Sequence, residues 1–574
     1  MEYGLVVFLL LAVVFSLAFS RFSPALIFSA VVAVLLVSGI LPLESIANNY
    51  VNPSLLTLVV LVLLAVALEK TLLLTRVVRY IVKGGLKSVL FRLCLFTGLS
   101  SALLNNTAIV AALMGPLRKQ SGLLASKVLL PLSYASILGG MLTLIGTSTN
   151  LIVNGFIDQA GFEPFSFFDF TFVGGLVFIA SGVCLIFVSS RSLPEHLVKD
   201  QHETLEYFLE RKVSKHSELI GRSVADNGLR RLEKLFLVDI VRNGRVLSPV
   251  GPEEIVREGD VLVFSGDPSA ISLLEPFHGL VASDKEDSVV RSNLMEVVVS
   301  PSSSLLGHTI KEADFRARFD AAVVAVRRGE SRIRGGLGKL RLRAGDGLVL
   351  SVGTDFKGRA NLSRNFILLG DLTAQKMLHP LLDAASIIAF LAVIASAVLG
   401  WIPFFNGILL LLFAYLVSGL VRVGELRRRF PFELIMVVGG ALGLAQAMIE
   451  THVAADMAAF INSFDGYGVV GSYVGIFLVT WFLTELVTNN AAAALVFPIA
   501  LAVAQQWGVS PYPFFMAVAF GASASFLSPY GYQTNLMVFS VGRYRLSDYL
   551  RAGLPVLVVY SITALITIPM VFPF

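Results

Sequence analysis

Short runs of uncharged amide and hydroxyl side chains interrupt four apolar stretches of the sequence. The first pair reads LNNTA at 104–108 and GTSTN at 146–150, and the second pair reads VTNNA at 487–491 and GYQTN at 531–535. An unpaired amide is costly in hydrocarbon, so such groups persist at membrane depth where they line a cavity or bind something. Amide and hydroxyl oxygens can ligate hard cations, and their hydrogens can face an anion. The pattern predicts an ion-binding pocket built from two similar halves.

The elements that must position these breaks are membrane helices. Of the 574 residues, 55% are hydrophobic and 15% are charged, and the mean hydropathy of +0.78 excludes an ordinary soluble protein. We predict a polytopic α-helical membrane protein in which residues 1–190 and 376–574 each contain three helices, a broken hairpin, a broken helix and a last helix. The predicted segments are 4–20, 23–42, 53–72, 86–117, 128–155, 171–190, 380–400, 407–421, 432–450, 467–508, 512–540 and 552–573.

Lys and Arg residues lie on one side of these predicted helices. With the amino terminus outside, the outside segments contain no Lys or Arg, and they are 43–52, 156–170, 401–406 and 451–511. The positive-inside rule then predicts five spans and a re-entrant hairpin in each half, two inverted repeats, both termini outside and a cytoplasmic segment at 191–375. We expect an inner or plasma membrane location. The modest net charge of +5 gives no indication of nucleic-acid binding.

The predicted inverted halves place the pocket near the middle of the membrane. The amino ends of half-helices there offer backbone N–H groups to an anion, and unwound carbonyls can hold sodium. Residues 431–542 contain no Lys or Arg. We therefore expect co-bound sodium, rather than a fixed side chain, to supply the positive charge that an anion needs.

The polar insert repeats itself at an offset of 86 residues. LIGRSV at 219–224 matches LLGHTI at 305–310, and REGDVLV at 257–263 matches RAGDGLV at 343–349. Two small cytosolic α+β domains in tandem are expected, at 205–285 and 291–372. They resemble the TrkA-C domain of ion transporters, which implies a role in sensing a small ligand such as a nucleotide. A role in dimerisation or folding alone remains the alternative, and no dinucleotide-binding glycine pattern precedes either copy.

The breaks at 104–108 and 487–491 resemble the paired Ser-Asn-Thr signatures of the divalent anion:sodium symporter family, which belongs to the ion-transporter superfamily of elevator-type carriers. The resemblance spans both membrane halves. It implies a secondary active symporter rather than an enzyme, with sodium as the coupling ion and no tightly bound cofactor. It also implies a homodimer, with scaffold helices near 23–72 and 380–450.

The same resemblance assigns roles to individual residues. The first implied sodium site is formed by Ser101, Asn105, Asn106 and Gly146. The second is formed by Thr484, the Val487 carbonyl, Asn489 and Gly531. The implied substrate contacts are Asn106, Thr107, Thr147, Asn489, Asn490 and Tyr532.

The chain departs from the family signature in ways that bear on the substrate. Asn105 and Thr488 replace the leading Ser, and Asn490 replaces the last Thr of the second copy. Tyr532 stands where carriers of dicarboxylates usually have a small hydroxyl residue, and its bulk is expected to shrink the cavity. We predict a compact divalent oxyanion, sulfate first, and the alternative is a sodium/dicarboxylate symporter for succinate or malate.

Other functional classes fit the same residues less well. A ligand-gated anion channel would fit a regulatory insert, but no pore-helix filter or charged ring is evident. A sodium/proton or arsenite-type exporter of the superfamily commonly has an ionisable residue in its broken helices, and 146–150 and 531–535 contain none. Glu485 lies in an apolar run beside Thr484, and the sequence leaves open whether it serves function or supports the hairpin.

Overall fold

The computed structural model describes most of the chain. The described residues are 2–19, 22–68, 78, 80–118, 124–195, 208–229, 232, 235–243, 245–247, 249–266, 274–282, 294–301, 303–333, 337–353, 355–359, 362–369, 380–462 and 468–574. The predicted domain limits at 1, 205, 285, 291, 372 and 376, and the predicted segment limits at 20, 72 and 467, lie outside them.

The first half is helical, and its helices end where the sequence becomes polar. Its described helices are α1 (Glu2–Phe19), α2 (Pro24–Val37), α3 (Leu43–Tyr50), α4 (Pro53–Leu68), α5 (Leu86–Ser101), α6 (Asn106–Arg118), α7 (Ala125–Gly140), α8 (Ser148–Gln159) and α9 (Thr171–Ser192). The two breaks fall between α5 and α6 and between α7 and α8, as predicted. The short helix α3 was not predicted.

Two five-stranded antiparallel sheets form the insert. The strands are β1 (Phe208–Val213), β2 (Leu235–Arg242), β3 (Arg245–Leu247), β4 (Val261–Gly266), β5 (Leu280–Ala282), β6 (Leu294–Val299), β7 (Ala321–Arg328), β8 (Ser331–Ile333), β9 (Gly347–Val352) and β10 (Phe366–Leu368). The short helices are α10 (Phe315–Phe319) and α11 (Leu362–Asn365), with 3-10 turns at Leu337–Lys339 and Phe356–Gly358.

The two sheets are copies of one domain, which confirms the repeat expected from the sequence. Their strand orders, β3-β2-β4-β1-β5 and β8-β7-β9-β6-β10, correspond one to one. A register shift falls at Leu237/Asp239 in β2 and at the matching Val323/Ala325 in β7. The copies touch where the Ser351 hydroxyl donates to the buried Asp239 carboxylate at 2.8 Å.

The second half repeats the element order of the first, with one further helix at Val453–Asn462 that has no counterpart among the described residues of the first half. Its helices are α12 (Pro380–Val398), α13 (Phe404–Val417), α14 (Val423–Arg429), α15 (Phe432–Glu450), α16 (Val453–Asn462), α17 (Gly468–Leu486), α18 (Asn489–Trp507), α19 (Tyr512–Ser523), α20 (Gln533–Val541) and α21 (Leu546–Val571). The breaks again separate α17 from α18 and α19 from α20. The last helix begins earlier than the predicted 552, because the Asp548 side chain accepts the Arg545 N–H at 2.7 Å and caps it.

Length and composition identify several of these helices as membrane spans. Within the described residues, six helical segments are long and apolar enough to cross a bilayer: Leu43–Ala67, Thr171–Ser192, Phe432–Glu450, Gly468–Leu486, Asn489–Trp507 and Leu546–Val571. Five shorter apolar helices accompany them. The prediction of a polytopic α-helical membrane protein is confirmed.

Equivalent helices pack in equivalent ways in the two halves. Helix α5 packs on α7, and α17 packs on α19. A Cβ atom at Gly139 would collide with the backbone of Gly98, so glycine permits the close approach of α5 and α7. A Cβ at Gly521 would lie 3.0 Å from the Phe477 carbonyl in the matching crossing of α17 and α19. The closing helices α9 and α21 pack against each other and join the halves.

The second small domain is docked on helices that begin at the polar breaks. The Gly329 N–H donates to the buried Ser540 hydroxyl at 3.0 Å, and that hydroxyl donates to the Gly345 carbonyl. Arg118, at the end of α6, forms an ion pair with Glu296 of β6. The insert therefore contacts α6 and α20 at the ends that point away from the breaks.

Candidate functional site

The four polar breaks meet around one cavity of about 180 Å³. Four helices begin at its wall, α6 at Asn106, α8 at Ser148, α18 at Asn489 and α20 at Gln533. The first-turn N–H groups of a helix have no partner within the helix, and its amino end carries partial positive charge. Four amino ends around one space create an anion-binding environment from backbone alone.

The cavity has one polar wall and one apolar wall. The polar wall comes from the breaks: Asn105, Asn106, Thr107, Gly146, Thr147, Ser148, Thr149, Thr488, Asn489, Asn490, Tyr530, Gly531, Tyr532 and Gln533. The apolar wall comes from α4 and α12 and includes Leu58, Leu61 and Phe390. Among the described lining residues there is no Asp, Glu, Lys, Arg or His, so no fixed side-chain charge faces the cavity.

We call the breaks at 104–108 and 487–491 the first and second hairpin tips. At the first tip, several oxygen atoms surround the Asn106 side chain. The buried Ser101 hydroxyl donates to the Ser136 carbonyl at 2.8 Å and also contacts Asn106. The Asn106 amide lies 3.2 Å from the Gly146 carbonyl and 3.3 Å from that of Ser136. With its nitrogen toward them, the amide donates to these carbonyls. With its oxygen toward them, four uncharged oxygens lie close together, and such oxygens are ligands that a hard cation accepts.

The second tip repeats this arrangement. The buried Thr484 hydroxyl donates to the Ala522 carbonyl at 2.6 Å and lies 3.2 Å from Asn489 Oδ1. Thr484, Asn489 and Ala522 thus correspond to Ser101, Asn106 and Ser136. Gly531 lies beside this group, as Gly146 does in the first half.

Side chains from each half reach across the cavity to helix starts of the other half. Thr107 Oγ1 lies 3.3 Å from Gln533 Oε1. Asn490 Oδ1 accepts hydrogen bonds from the Ser148 and Thr149 hydroxyls, each at 3.2 Å. These reciprocal contacts hold the two tips on opposite sides of one space.

Tyr532 narrows the cavity from the second half. Its hydroxyl lies 2.6 Å from the Asn106 amide and 3.5 Å from Thr147 Oγ1. The ring therefore occupies part of the space between the tips and presents its hydroxyl at the first tip. When the Asn106 nitrogen donates to it, the Tyr532 hydroxyl keeps its own hydrogen to donate to an oxyanion.

The structure brings the residues predicted for the site together. Nine line the cavity: Asn105, Asn106, Thr107, Gly146, Thr147, Asn489, Asn490, Gly531 and Tyr532. Three do not line it and are buried, namely Ser101, Thr484 and Val487. Asn105 also caps α6, because its side-chain oxygen accepts the Thr107 N–H at 2.9 Å.

Sequence reasoning missed several participants. Ser148 and Gln533 lie inside the polar breaks, so their residue types could have included them. The carbonyls of Ser136 and Ala522 gave no signal, because a backbone atom is not visible in residue type. The apolar wall residues gave none either, since they do not differ from other lipid-facing or core residues of the same helices.

Comparison with known proteins supplies a separate line of evidence. The citrate transporter family (CitMHS) matches residues 7–508. Over 93% of its length the chain is 32% identical to a Chlamydomonas reinhardtii protein named as a sulfur deprivation response regulator, of which 95% is covered. It is 30% identical over 94% of its length to an uncharacterized transporter of Synechocystis, of which 92% is covered. It is 28% identical over 63% of its length to sodium/sulfate cotransporter 1 of Chlamydomonas reinhardtii, of which 42% is covered.

These matches agree with the geometry of the membrane halves. The family match includes both hairpin tips and most of the helices that surround the cavity. The resemblance to divalent anion:sodium symporters is confirmed, and the family and relatives are those of a transporter, not an enzyme. The chain is a multi-pass membrane transporter that belongs to the citrate transporter family.

Proposed function

We propose that the protein is a sodium-coupled symporter of a divalent oxyanion, with sulfate as its substrate. One observation carries the proposal: four helix amino ends surround a cavity whose described lining has no charged side chain, with an oxygen cluster at each tip. The name of the sodium/sulfate cotransporter relative supports the choice of ions.

The coupling of sodium to anion transport is proposed because no charged side chain is present in the described lining of the cavity. Helix amino ends attract an anion, but transfer of a dianion out of water is costly without a compensating cation. Sodium bound at Ser101, Asn105, Asn106 and Gly146 would supply one positive charge beside the cavity. Sodium bound at Thr484, the Val487 carbonyl, Asn489 and Gly531 would supply another. The anion would then bind between them, in contact with Asn106, Thr107, Thr147, Asn489, Asn490 and Tyr532.

The size of the cavity favours sulfate over the alternative dicarboxylates. Tyr532 spans from the second half to Asn106, within 2.6 Å of its amide, and so reduces the distance available to an extended substrate. A tetrahedral oxyanion is compact and can accept from donors on several sides. We propose that succinate or malate, being longer, binds less well between Tyr532 and the second tip than sulfate does.

Transport is proposed to occur by an elevator movement. Helices α5–α9 and α17–α21 carry the tips and would move as one unit, whereas α1–α4 and α12–α15 would form the scaffold. The apolar wall formed by Leu58, Leu61 and Phe390 supports this division, because it offers the substrate no polar bond that would have to break during the movement.

Uptake into proteoliposomes tests the proposed function. We expect labelled sulfate to accumulate when an inward sodium gradient is imposed and not when potassium or choline replaces sodium. Unlabelled succinate in excess should compete weakly. Sulfate uptake that is indifferent to sodium would refute coupling, and uptake of succinate alone would replace the substrate.

The insert is proposed to regulate transport from the cytoplasm as a pair of TrkA-C-like domains at 205–285 and 291–372, with a nucleotide or another small molecule as its ligand. Its second domain holds α6 and α20, the helices that begin at the cavity. Arg545, which precedes α21, also donates to Glu330 at 2.7 Å. Arg545→Glu should change the initial uptake rate by about twofold, the range of an exposed ion pair. Adding Glu330→Arg should restore it, and two variants with unchanged rates would remove the contact from regulation.

We also propose how the protein assembles and how it is oriented in the membrane. The family resemblance supports a homodimer with its interface on helices 23–72 and 380–450. The distribution of Lys and Arg supports an orientation with both termini outside an inner or plasma membrane. Light scattering of the detergent-solubilised protein measures the first. Labelling of single cysteines in intact cells with a membrane-impermeant reagent measures the second.

A further inference from the structure

Glu485 is a carboxylate placed beside the second hairpin tip. One of its oxygens, Oε1, accepts the N–H groups of Phe526 and Leu527 at 3.1 and 3.0 Å. The other oxygen, Oε2, is buried and has no hydrogen-bond partner. A buried charged oxygen without a partner is costly, and in proteins such atoms are normally paired or bound to a metal ion.

Other oxygens converge with Oε2 next to Gly531. The position that a Cβ of Gly531 would take lies 3.2 Å from Glu485 Oε2, 3.2 Å from the Thr484 carbonyl oxygen and in contact with Ser525 Oγ. The Ser525 hydroxyl is fully buried and also lacks a hydrogen-bond partner. Two unpaired buried oxygens and one carbonyl oxygen therefore lie against Gly531, where no side chain separates them.

We propose that Glu485 Oε2, Ser525 Oγ and the Thr484 carbonyl bind an alkali cation, sodium in the working transporter, and give the second half a cation site with a negative charge. Carboxylate, hydroxyl and carbonyl oxygens are the ligands that hard cations prefer. The inference rests on the proposed sodium coupling and extends it, because neither Glu485 nor Ser525 belongs to the sodium ligands assigned above.

A purely supporting role for Glu485 would use less of this arrangement. Holding the loop at 526–528 requires acceptors for the Phe526 and Leu527 N–H groups and for Ser528, and the oxygen of a neutral amide would supply one. It requires neither the charge nor the approach of Ser525 to Gly531. The unpaired Oε2 and the unpaired Ser525 hydroxyl are explained by a cation and not by support of the loop.

The two roles are separated by Glu485→Gln and Ser525→Ala. Glutamine keeps an oxygen for the Phe526 and Leu527 N–H groups but removes the charge. Ser525→Ala removes a ligand and leaves every hydrogen bond of Glu485 in place. The matched control is Ser181→Ala on α9, which removes another buried hydroxyl without a partner.

The measurement is the sodium concentration that gives half-maximal sulfate uptake in proteoliposomes at saturating sulfate. We expect it to rise about tenfold in Glu485→Gln, equivalent to about 1.4 kcal/mol, and about threefold in Ser525→Ala. Ser181→Ala should match the unmodified protein. If Glu485→Gln does not fold, Ser525→Ala alone decides. An unchanged sodium requirement in Ser525→Ala, together with an unchanged requirement in any folded Glu485→Gln, overturns the proposal.

A second readout distinguishes failure of this site from failure of sodium coupling. Sodium chloride should raise the melting temperature of the purified unmodified protein above that in choline chloride, and Ser525→Ala should show a smaller rise. If sodium does not stabilise the unmodified protein and does not drive its uptake, the proposed function fails and this site fails with it. If sodium does both equally well in the unmodified protein and in Ser525→Ala, only the carboxylate site fails.

Discussion

The two hairpin tips share one hydrogen-bonding pattern but differ in charge. In each, a buried hydroxyl donates to a carbonyl of the neighbouring broken helix and touches the first asparagine of the next helix. The residue after that hydroxyl is Ala102 in the first half and Glu485 in the second. One tip thus offers a cation only neutral oxygens, whereas the other has a carboxylate nearby.

This difference suggests that the two similar halves hold a cation in different ways. A cation near a carboxylate is held by net charge, so its site depends less on any single neutral ligand. A cation among four neutral oxygens depends on all of them and on the anion that arrives. For the two proposed sodium sites, we therefore expect the second to fill first and the first to couple sodium to the substrate.

The largest expected effect tests what the halves share. Asn106→Ala and Asn489→Ala each remove an amide that serves both a tip and the substrate. Loss of a hydrogen bond to a charged group costs about 2–3 kcal/mol, so each should lower sulfate uptake about 100-fold. Initial uptake rates in proteoliposomes measure this, with size-exclusion profiles as the folding control. Wild-type rates in either variant would exclude that residue from the site.

The next effect tests what distinguishes the halves. Ser101→Ala should raise the sodium concentration for half-maximal uptake about tenfold, because the first site has only neutral ligands. Thr484→Val should raise it about threefold, because the neighbouring charge remains. Thr97→Val is the matched control, since it removes a buried, unpaired hydroxyl one turn before Ser101. Equal effects of Ser101→Ala and Thr484→Val would remove the distinction.

A smaller effect concerns the position that differs in size between the halves, Thr147 in the first and Tyr532 in the second. Tyr532→Phe removes one hydroxyl near Asn106 and should raise the KM for sulfate about fivefold. Tyr532→Ser should admit succinate as an effective competitor. Tyr560→Phe is the control, because its hydroxyl bonds the Phe520 carbonyl outside the cavity. No change of KM or selectivity would show that Tyr532 does not face the substrate.

The smallest predicted effect is on stability and concerns two buried asparagine amides that hold the loops beside the cavity. Asn535 Nδ2 donates to the carbonyls of Ser525 and Ser528 at 3.0 and 3.2 Å. Asn150 Nδ2 donates to the Thr143 carbonyl at 3.1 Å. Loss of each bond costs about 1 kcal/mol, so Asn535→Ala should lower the melting temperature more than Asn150→Ala. The reverse order in differential scanning fluorimetry would contradict this reading of the loops.

Much of the architecture was predictable because membrane helices are visible in a sequence as long apolar runs. These runs located the helices. The polar breaks at 104–108 and 487–491 identified the hairpin tips, because unpaired amides are costly in hydrocarbon and are kept where they bind something. The repeat in the insert was visible from matching residue types. Helices α3 and α14 were missed because they are short and polar enough to look like loops, and α16 was missed because it is too short to span a membrane although it is largely apolar.

The parts that could not be predicted depend on contacts between distant residues. Residue type does not indicate that Ser525 and Glu485 both approach Gly531, because Glu485 lies on α17, far from the other two in the chain. The docking of Gly329 and Gly345 on Ser540 is also a tertiary contact between elements far apart in the chain. Backbone ligands such as the Ser136 carbonyl leave no trace in residue type.

The central claim is that the cavity attracts the anion only after sodium has entered, and equilibrium binding tests it most directly. Binding of labelled sulfate to the purified, detergent-solubilised protein should be saturable in sodium chloride and absent when choline replaces sodium. Because no gradient is present, the result reports on the site and not on the driving force. Equal binding of sulfate in sodium and in choline would contradict the account.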